Sequence, residues 1–280
     1  MGRRGRERDS GGNSIEVIQL ISSLKIIPLN KTIFITGATS GFGKAIAEKF
    51  AKNNYRVIIT GRREKRLNEV AELLRKNFSA EVLTLNFDVR KSEEVKEAVA
   101  SLPDSWRQID ILVNNAGLAA GLDLFQDASL DDWDQMIDTN VKGLLYMTKE
   151  VLPLMMTQES GYIFNIGSTA AKYVYEKGNV YCATKFAVDA LTQAMRIDLL
   201  KKNIRVTAIH PGMVETEFSM VRFKGVEEKA KAVYKGLEPL RSEDIADVIF
   251  YCASTPSHVC INELVITPAA QASPFYIDRK

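Results

Sequence analysis

The chain has 280 residues, 46% of them hydrophobic and 26% charged, with a formal net charge of +2. This balance is ordinary for a soluble globular protein with a sizeable core, and it is too neutral to argue for nucleic acid or an anionic membrane as partner. Three cysteines, Cys182, Cys252 and Cys260, have no metal-ligand spacing, and their odd number argues against a disulfide framework, so no metal is expected and a reducing compartment is the default.

Residues 1–30 are Arg-rich and then amphipathic, a pattern shared with organelle transit peptides, but Glu7, Asp9 and Glu16 count against targeting. A flexible or partner-packed extension is expected there. No apolar run approaches the roughly 20 residues that a membrane-spanning helix needs.

From Lys31 onward, short β-branched runs alternate with helical stretches. The strands expected are 32–37, 56–60, 81–86, 109–115, 161–168, 204–212 and 263–268. They are continuously apolar, as in a parallel sheet covered on both faces. Between them, Ser92, Ser129 and Ser242 each precede acidic residues, the signature of a helix start. One long helix is expected over 129–158 and another over 179–201. Strand, helix and strand in repetition predict a single α/β domain over 31–280, a doubly wound parallel sheet of about seven strands with right-handed crossovers.

The first strand runs into "TGATSGFGKAIAEKF", placing Gly37, Gly41 and Gly43 at a strand-to-helix turn. Glycines there permit a tight turn and close approach of a pyrophosphate to a helix N-terminus. A Gly-rich turn alone is weak evidence, but the first βα junction is where a dinucleotide site belongs. The second strand ends in "TGRREK" rather than in the carboxylate that would bind both ribose hydroxyls of NAD. An arginine fork instead suits a 2′-phosphate, so NADP is the expected cofactor, with Arg62 on the phosphate and Arg63 on the adenine face. Asp88 follows the third strand, where a carboxylate could meet the adenine amino group or simply cap a turn.

Within "NVYCATKFAVD", Tyr181 and Lys185 are four residues apart and so share one helix face. A free tyrosine, with a pKa of about 10, is a poor base near neutrality; a neighbouring ammonium favours the phenolate. Spacing alone leaves open a core tyrosine beside a surface lysine. Ser168 closes the preceding strand at the sheet's carboxyl edge, where such folds bind ligands. Asn140 sits inside the long helix, where packing alone would not ask for a poor helix former.

Thr36-Gly37-x-x-x-Gly41-x-Gly43, Asn114-Asn115-Ala116-Gly117, Asn140, Ser168, Tyr181-x-x-x-Lys185 and Pro211-Gly212 together resemble the short-chain dehydrogenase/reductase family, over 32 to about 268. The resemblance implies a Rossmann-type domain with a Ser168, Tyr181, Lys185 and Asn140 active site. It assigns acid–base chemistry to Tyr181, orientation of the reacting oxygen to Ser168, and tyrosine activation and ribose binding to Lys185. Asn140 would support a proton relay. Cofactor contacts are implied for Gly37, Thr39, Ser40, Gly41, Phe42, Gly43, Arg62, Arg63, Asp88, Val89, Asn114, Ala116, Gly117, Tyr181, Lys185, Pro211, Gly212, Val214 and Thr216.

The stretches "GMVETEFSMVRFKGVEEKAKAVY" and "PAAQASPFYIDRK" are similar to a subgroup that oxidises serine and L-allo-threonine with NADP. That similarity implies a cytoplasmic homotetramer oxidising the 3-hydroxyl of small 3-hydroxy acids, a lid over about 213–236 and a tail over about 269–280. A carboxylate substrate calls for a cation beyond Lys185; Arg222 is the first choice because its fork can make two parallel hydrogen bonds, and Lys224 is the other candidate. The tail residues Phe275 and Tyr276 are expected to pack on a neighbouring subunit. A broad carbonyl or diketone reductase and a non-catalytic NADP sensor are the alternative functions.

Overall fold

A computed structural model describes residues 31–280, and the expectations for residues 1–30 lie outside the described residues. Seven strands form one sheet: β1 (Thr32–Ile35), β2 (Arg56–Thr60), β3 (Val82–Leu85), β4 (Ile111–Asn114), β5 (Gly161–Ile166), β6 (Ile204–Pro211) and β7 (Glu263–Ile266). Their order is β3-β2-β1-β4-β5-β6-β7, and every pairing is parallel. The chain winds outward from β1 through β2 to β3, then returns to lay β4 against the other side of β1. This reversal opens a crevice at the carboxyl ends of β1 and β4, the position where open α/β sheets bind ligands.

The strands are continuously apolar because alternate side chains enter two separate cores. Ile33 and Ile35 pack with Val57 and Ile59 against α1 (Gly41–Lys52), α2 (Glu64–Phe78) and α9 (Ser242–Ala253). Phe34, Ile58, Leu112 and Ile163 face the other side. There they meet Val95 of α3 (Ser92–Ala100) and Met147 and Val151 of α5 (Gly143–Met156). Each of these fully buried aliphatic side chains stabilises the fold by about 2 kcal/mol relative to exposure.

The expected strands are all present, most of them one or two residues shorter than their apolar runs. Ser129 caps α4 (Leu130–Ile137) by position, whereas Ser92 and Ser242 are the first residues of their helices. In α9 the start is held by Asp244, whose carboxylate accepts the Arg241 amide at 2.8 Å. The long helix is not uniform: α4 passes into α5 through one π-helical turn, Asp138–Lys142, which contains Asn140. The α6 helix (Asn179–Asp198) ends three residues earlier than expected, and the chain continues in a 3₁₀ turn over Leu200–Lys202.

Candidate active site

Gly37 and Gly41 have φ of +66° and +52°, a conformation that only glycine adopts without strain, and they turn β1 into α1. A Cβ on Gly43 would lie 2.5 Å from the Gly37 carbonyl oxygen, so this glycine is the close-packing one. The turn is tied to β4 by Thr36, whose hydroxyl accepts the amides of Asn115 (3.0 Å) and Ala116 (2.9 Å). The Asn115 carboxamide in turn donates to the carbonyls of Thr36 (2.8 Å) and Gly37 (3.1 Å).

This frame borders a cleft of about 430 Å³ along the carboxyl edge of the sheet. Gly37, Thr39, Ser40, Gly41, Phe42, Arg62, Arg63, Asp88 and Val89 line it, as do Ala116, Gly117, Ser168, Tyr181, Lys185, Pro211, Gly212, Val214 and Thr216. Four expected site residues, Gly43, Asn114, Asn140 and Arg222, are not among the lining residues. The Asn114 side chain points away from the cleft: its carboxamide donates to Thr148 and Asn165 at 2.9 Å inside the helix–sheet layer, as the alternation of β4 directs. Its neighbour Asn115 lines the cleft instead.

At the basic end, the half-exposed Arg62 reaches to 3.8 Å from Asp88. Arg63 bonds the hydroxyls of Thr39 (2.7 Å) and Ser40 (2.8 Å). Burial alone would raise the Asp88 carboxyl, but hydrogen bonds from Arg90, the nearest at 2.6 Å, hold it below the usual carboxylate range. Asp88 is thus bound by Arg90, which the sequence reading did not foresee.

Ser168 and Tyr181 both line the cleft, and the Ser168 hydroxyl accepts the Ala170 amide at 3.1 Å. Burial drives the Tyr181 phenol well above its ordinary value of 10.0, Tyr175 adds to the rise, and Ser168 and then Arg222 oppose it. Lys185 is fully enclosed one turn along α6; burial lowers it from 10.5 to about 8, and it donates to the Ile166 carbonyl at 2.9 Å. Its nitrogen lies 5.9 Å from the centre of the Tyr181 ring. The Arg222 guanidinium is at a similar distance, 5.5 Å, so two cations flank the phenol.

Asn140 accepts the Leu118 amide (2.8 Å) and donates to the Leu118 carbonyl (2.8 Å) and the Thr184 hydroxyl (3.1 Å). The π turn lets it reach α6, and a Cβ on Gly117 would sit 3.2 Å from its oxygen and 3.6 Å from Lys185 Nζ. The four residues implied by the resemblance thus converge.

The segment after β6 carries α7 (Glu217–Arg222) and α8 (Glu227–Ala232). Arg222 lies against the rings of Tyr175 (5.6 Å) and Tyr181 (5.5 Å). Lys224 turns away and pairs with Asp132 at 2.9 Å. Sequence reasoning missed Glu217, Tyr175 and Gln271. The last, from the tail, accepts the Met213 amide at 2.8 Å and so fixes the loop after Gly212. Nothing local marked it, because the contact spans 58 residues.

A seven-stranded parallel sheet with a glycine-lined edge cleft and a buried Ser-Tyr-Lys cluster defines a nucleotide-dependent oxidoreductase. A family model for short chain dehydrogenases matches residues 31–227, and the chain belongs to this family. It is 48% identical over 241 residues to the NADP-dependent 3-hydroxy acid dehydrogenase YdfG of Salmonella typhi, covering 86% of this chain and 96% of that one. It is 45% identical over 244 residues to serine 3-dehydrogenase of Agrobacterium fabrum, covering 87% and 96%. The fold superposes on the closed form of a serine dehydrogenase complexed with NADP+ with a TM-score of 0.83 and 44% identity, covering 89% of this chain and 100% of that one. No helix among the described residues is long and apolar enough to cross a membrane.

Proposed function

We propose that the protein is an NADP-dependent dehydrogenase that oxidises the 3-hydroxyl of small 3-hydroxy acids and runs in reverse as a carbonyl reductase. The observation that carries this reading is the convergence of Ser168, buried Tyr181 and, one helical turn on, buried Lys185 at the wall of the nucleotide cleft. The names and identities of the relatives support it.

The cleft residues fit NADP. Gly37 and Gly41 keep the turn free of side chains where a pyrophosphate would approach, and the Thr39 and Ser40 hydroxyls with Arg62 and Arg63 form a donor set for a 2′-phosphate. When bound, NADP supplies the nicotinamide that exchanges hydride with the substrate carbon.

The protein's own part is to place the substrate and move one proton. Ser168 Oγ and Tyr181 Oη hold the reacting oxygen between them. In oxidation Tyr181 Oη takes the hydroxyl proton; in reduction the neutral phenol donates it to the carbonyl oxygen. Burial makes the neutral form the resting one, so the oxidative direction needs cationic neighbours, a role open to Arg222 and to Lys185 when protonated. Asn140 fixes the backbone at Leu118 and the turn of α6 that carries Lys185, supporting a proton relay behind it. Arg222 would receive the substrate carboxylate beside Tyr175.

The reading extends to a cytoplasmic homotetramer. Support comes from large apolar groups left exposed, Ile197 at 74% and Tyr276 at 76% among them. The tail also folds onto its own chain, with Arg279 donating to the carbonyls of Val233 and Lys235 while Phe275 and Tyr276 stay outward, available to a neighbour.

The test is spectrophotometric NADPH formation with NADP or NAD and L-serine, L-allo-threonine or 3-hydroxyisobutyrate, comparing wild type with Tyr181→Phe. Tyrosine-dependent turnover with NADP is expected. Turnover of uncharged carbonyls alone would move the assignment to a broad carbonyl reductase, and NADP binding without any turnover would move it to a sensor.

A further inference from the structure

The short helix α7 has a charged residue at each end: Glu217, which lines the cleft, and Arg222, which lies against Tyr181. Its first residue, Glu217, reaches across the cleft mouth to α2. One carboxylate oxygen meets Arg63 at 2.9 Å, and both meet Arg66 at 2.8 and 2.9 Å. These partners are more than 150 residues away in sequence, so the contact is made by the fold and not by local geometry. Farther along α7, Phe218 lies 5.7 Å from the Tyr181 ring, and Arg222 closes the helix against the same tyrosine.

Arg63 is held on two edges at once. Its Nε and Nη2 face the hydroxyls of Thr39 and Ser40, the side that a 2′-phosphate would share, while Nη1 faces Glu217. A phosphate on the hydroxyl side therefore leaves the Glu217 contact in place. An arginine with anions on both edges is held more firmly than one with a single anion and two neutral hydroxyls. Arg66 is outside the cleft lining, so it supports the latch without touching a cofactor.

We propose that Glu217 is a positioning residue, a lid latch that couples recognition of the cofactor's 2′-phosphate at Arg63 to the seating of Phe218 and Arg222 over Tyr181. The coupling rests on the NADP reading above; the latch itself does not. The latch makes cofactor choice felt at the substrate end. NAD, lacking the phosphate, leaves Arg63 less firmly held and the lid looser.

The first test needs no cofactor. Hydrogen–deuterium exchange over 216–222 is compared in wild type, Glu217→Gln, Glu217→Asp and Arg66→Ala, at low and high KCl. Because the latch is half-exposed and screened by salt, Glu217→Gln and Arg66→Ala are each expected to raise lid exchange about three- to tenfold at low salt. High salt should bring the wild type to the same level while leaving those two variants unchanged, and Glu217→Asp should recover part of the protection. Lid exchange in Glu217→Gln equal to that of wild type overturns the latch.

The second test adds cofactor. NADP is expected to protect the lid more than NAD in wild type, and the two to protect equally in Glu217→Gln. The KM for the hydroxy acid should rise about fivefold in that variant, with kcat changed less. NADP protecting the lid equally in both proteins overturns the coupling. Calorimetry separates the underlying reading: equal wild-type affinities for NAD and NADP overturn the cofactor assignment and the coupling with it, whatever the lid does.

Discussion

The Arg222 guanidinium stands 5.5 Å from the Tyr181 ring and 5.6 Å from that of Tyr175, a cation set beside both rings by the end of α7. Its Nε donates to the Gly121 carbonyl at 3.3 Å. Arg222→Ala is expected to lower kcat/KM for 3-hydroxy acids by about 10- to 100-fold, the loss that goes with a hydrogen bond to a charged group. Activity on uncharged ketones should fall far less. Equal losses for both substrate classes would remove the carboxylate role.

In the proposed mechanism Tyr181→Phe removes the atom that moves the substrate proton while keeping the ring near Phe218. Turnover should drop by about three orders of magnitude, in the range of general acid–base contributions, with NADP affinity nearly unchanged. Steady-state rates beside fluorescence titration of NADP separate the two effects.

Lys185 gives a pH signature. Its folded-state pKa, about 8, is below its ordinary 10.5, so between these values the unfolded chain binds more protons and stability rises with pH. Below pH 8 the enclosed ammonium costs on the order of 3 kcal/mol relative to its neutral form. Lys185→Met lacks this term. In urea unfolding of the cofactor-free protein, the variant's advantage at pH 7 should shrink steadily between pH 8 and 10.5. A difference independent of pH would contradict the enclosed, charge-destabilised lysine.

Arg62 is half-exposed and only loosely near Asp88, which Arg90 already neutralises. Arg62→Ala should therefore raise the Kd for NADP about tenfold and leave NAD nearly unaffected. Titration of both cofactors against both proteins decides it; parallel weakening would place Arg62 on the adenosine instead of the phosphate.

Gly43→Ala sets a methyl 2.5 Å from the Gly37 carbonyl, which the turn has no room to absorb. The expected cost is about 1–3 kcal/mol, read as a lower Tm, with weaker NADP binding because the phosphate turn shifts. An unchanged Tm would mean that the turn yields freely.

The division between what was legible in the chain and what was not follows interaction range. The parallel sheet, its two-sided cover and the βα turn at Gly37 are written in local patterns, since alternate burial along a strand and glycine torsions depend on neighbours in sequence. Tyr181 and Lys185 could be paired from helical spacing, and Ser168 and Asn140 joined them through the family resemblance. Other features depended on contacts that no local pattern encodes. The π turn aims Asn140 at Leu118 and Thr184, and strand alternation sends Asn114 inward and Asn115 to the cleft. Helix α7 brings Arg222 to Tyr181, and through Glu217 it meets arginines more than 150 residues away. The tertiary structure also adds an effect that spacing could not show: burial raises the Tyr181 phenol and lowers Lys185. The sequence by itself supplied the fold, the glycine turn and the Ser168, Tyr181, Lys185 and Asn140 candidates; only the folded packing, which joins residues far apart in the chain, decided their distances and burial and added Tyr175, Arg90 and Glu217 around them.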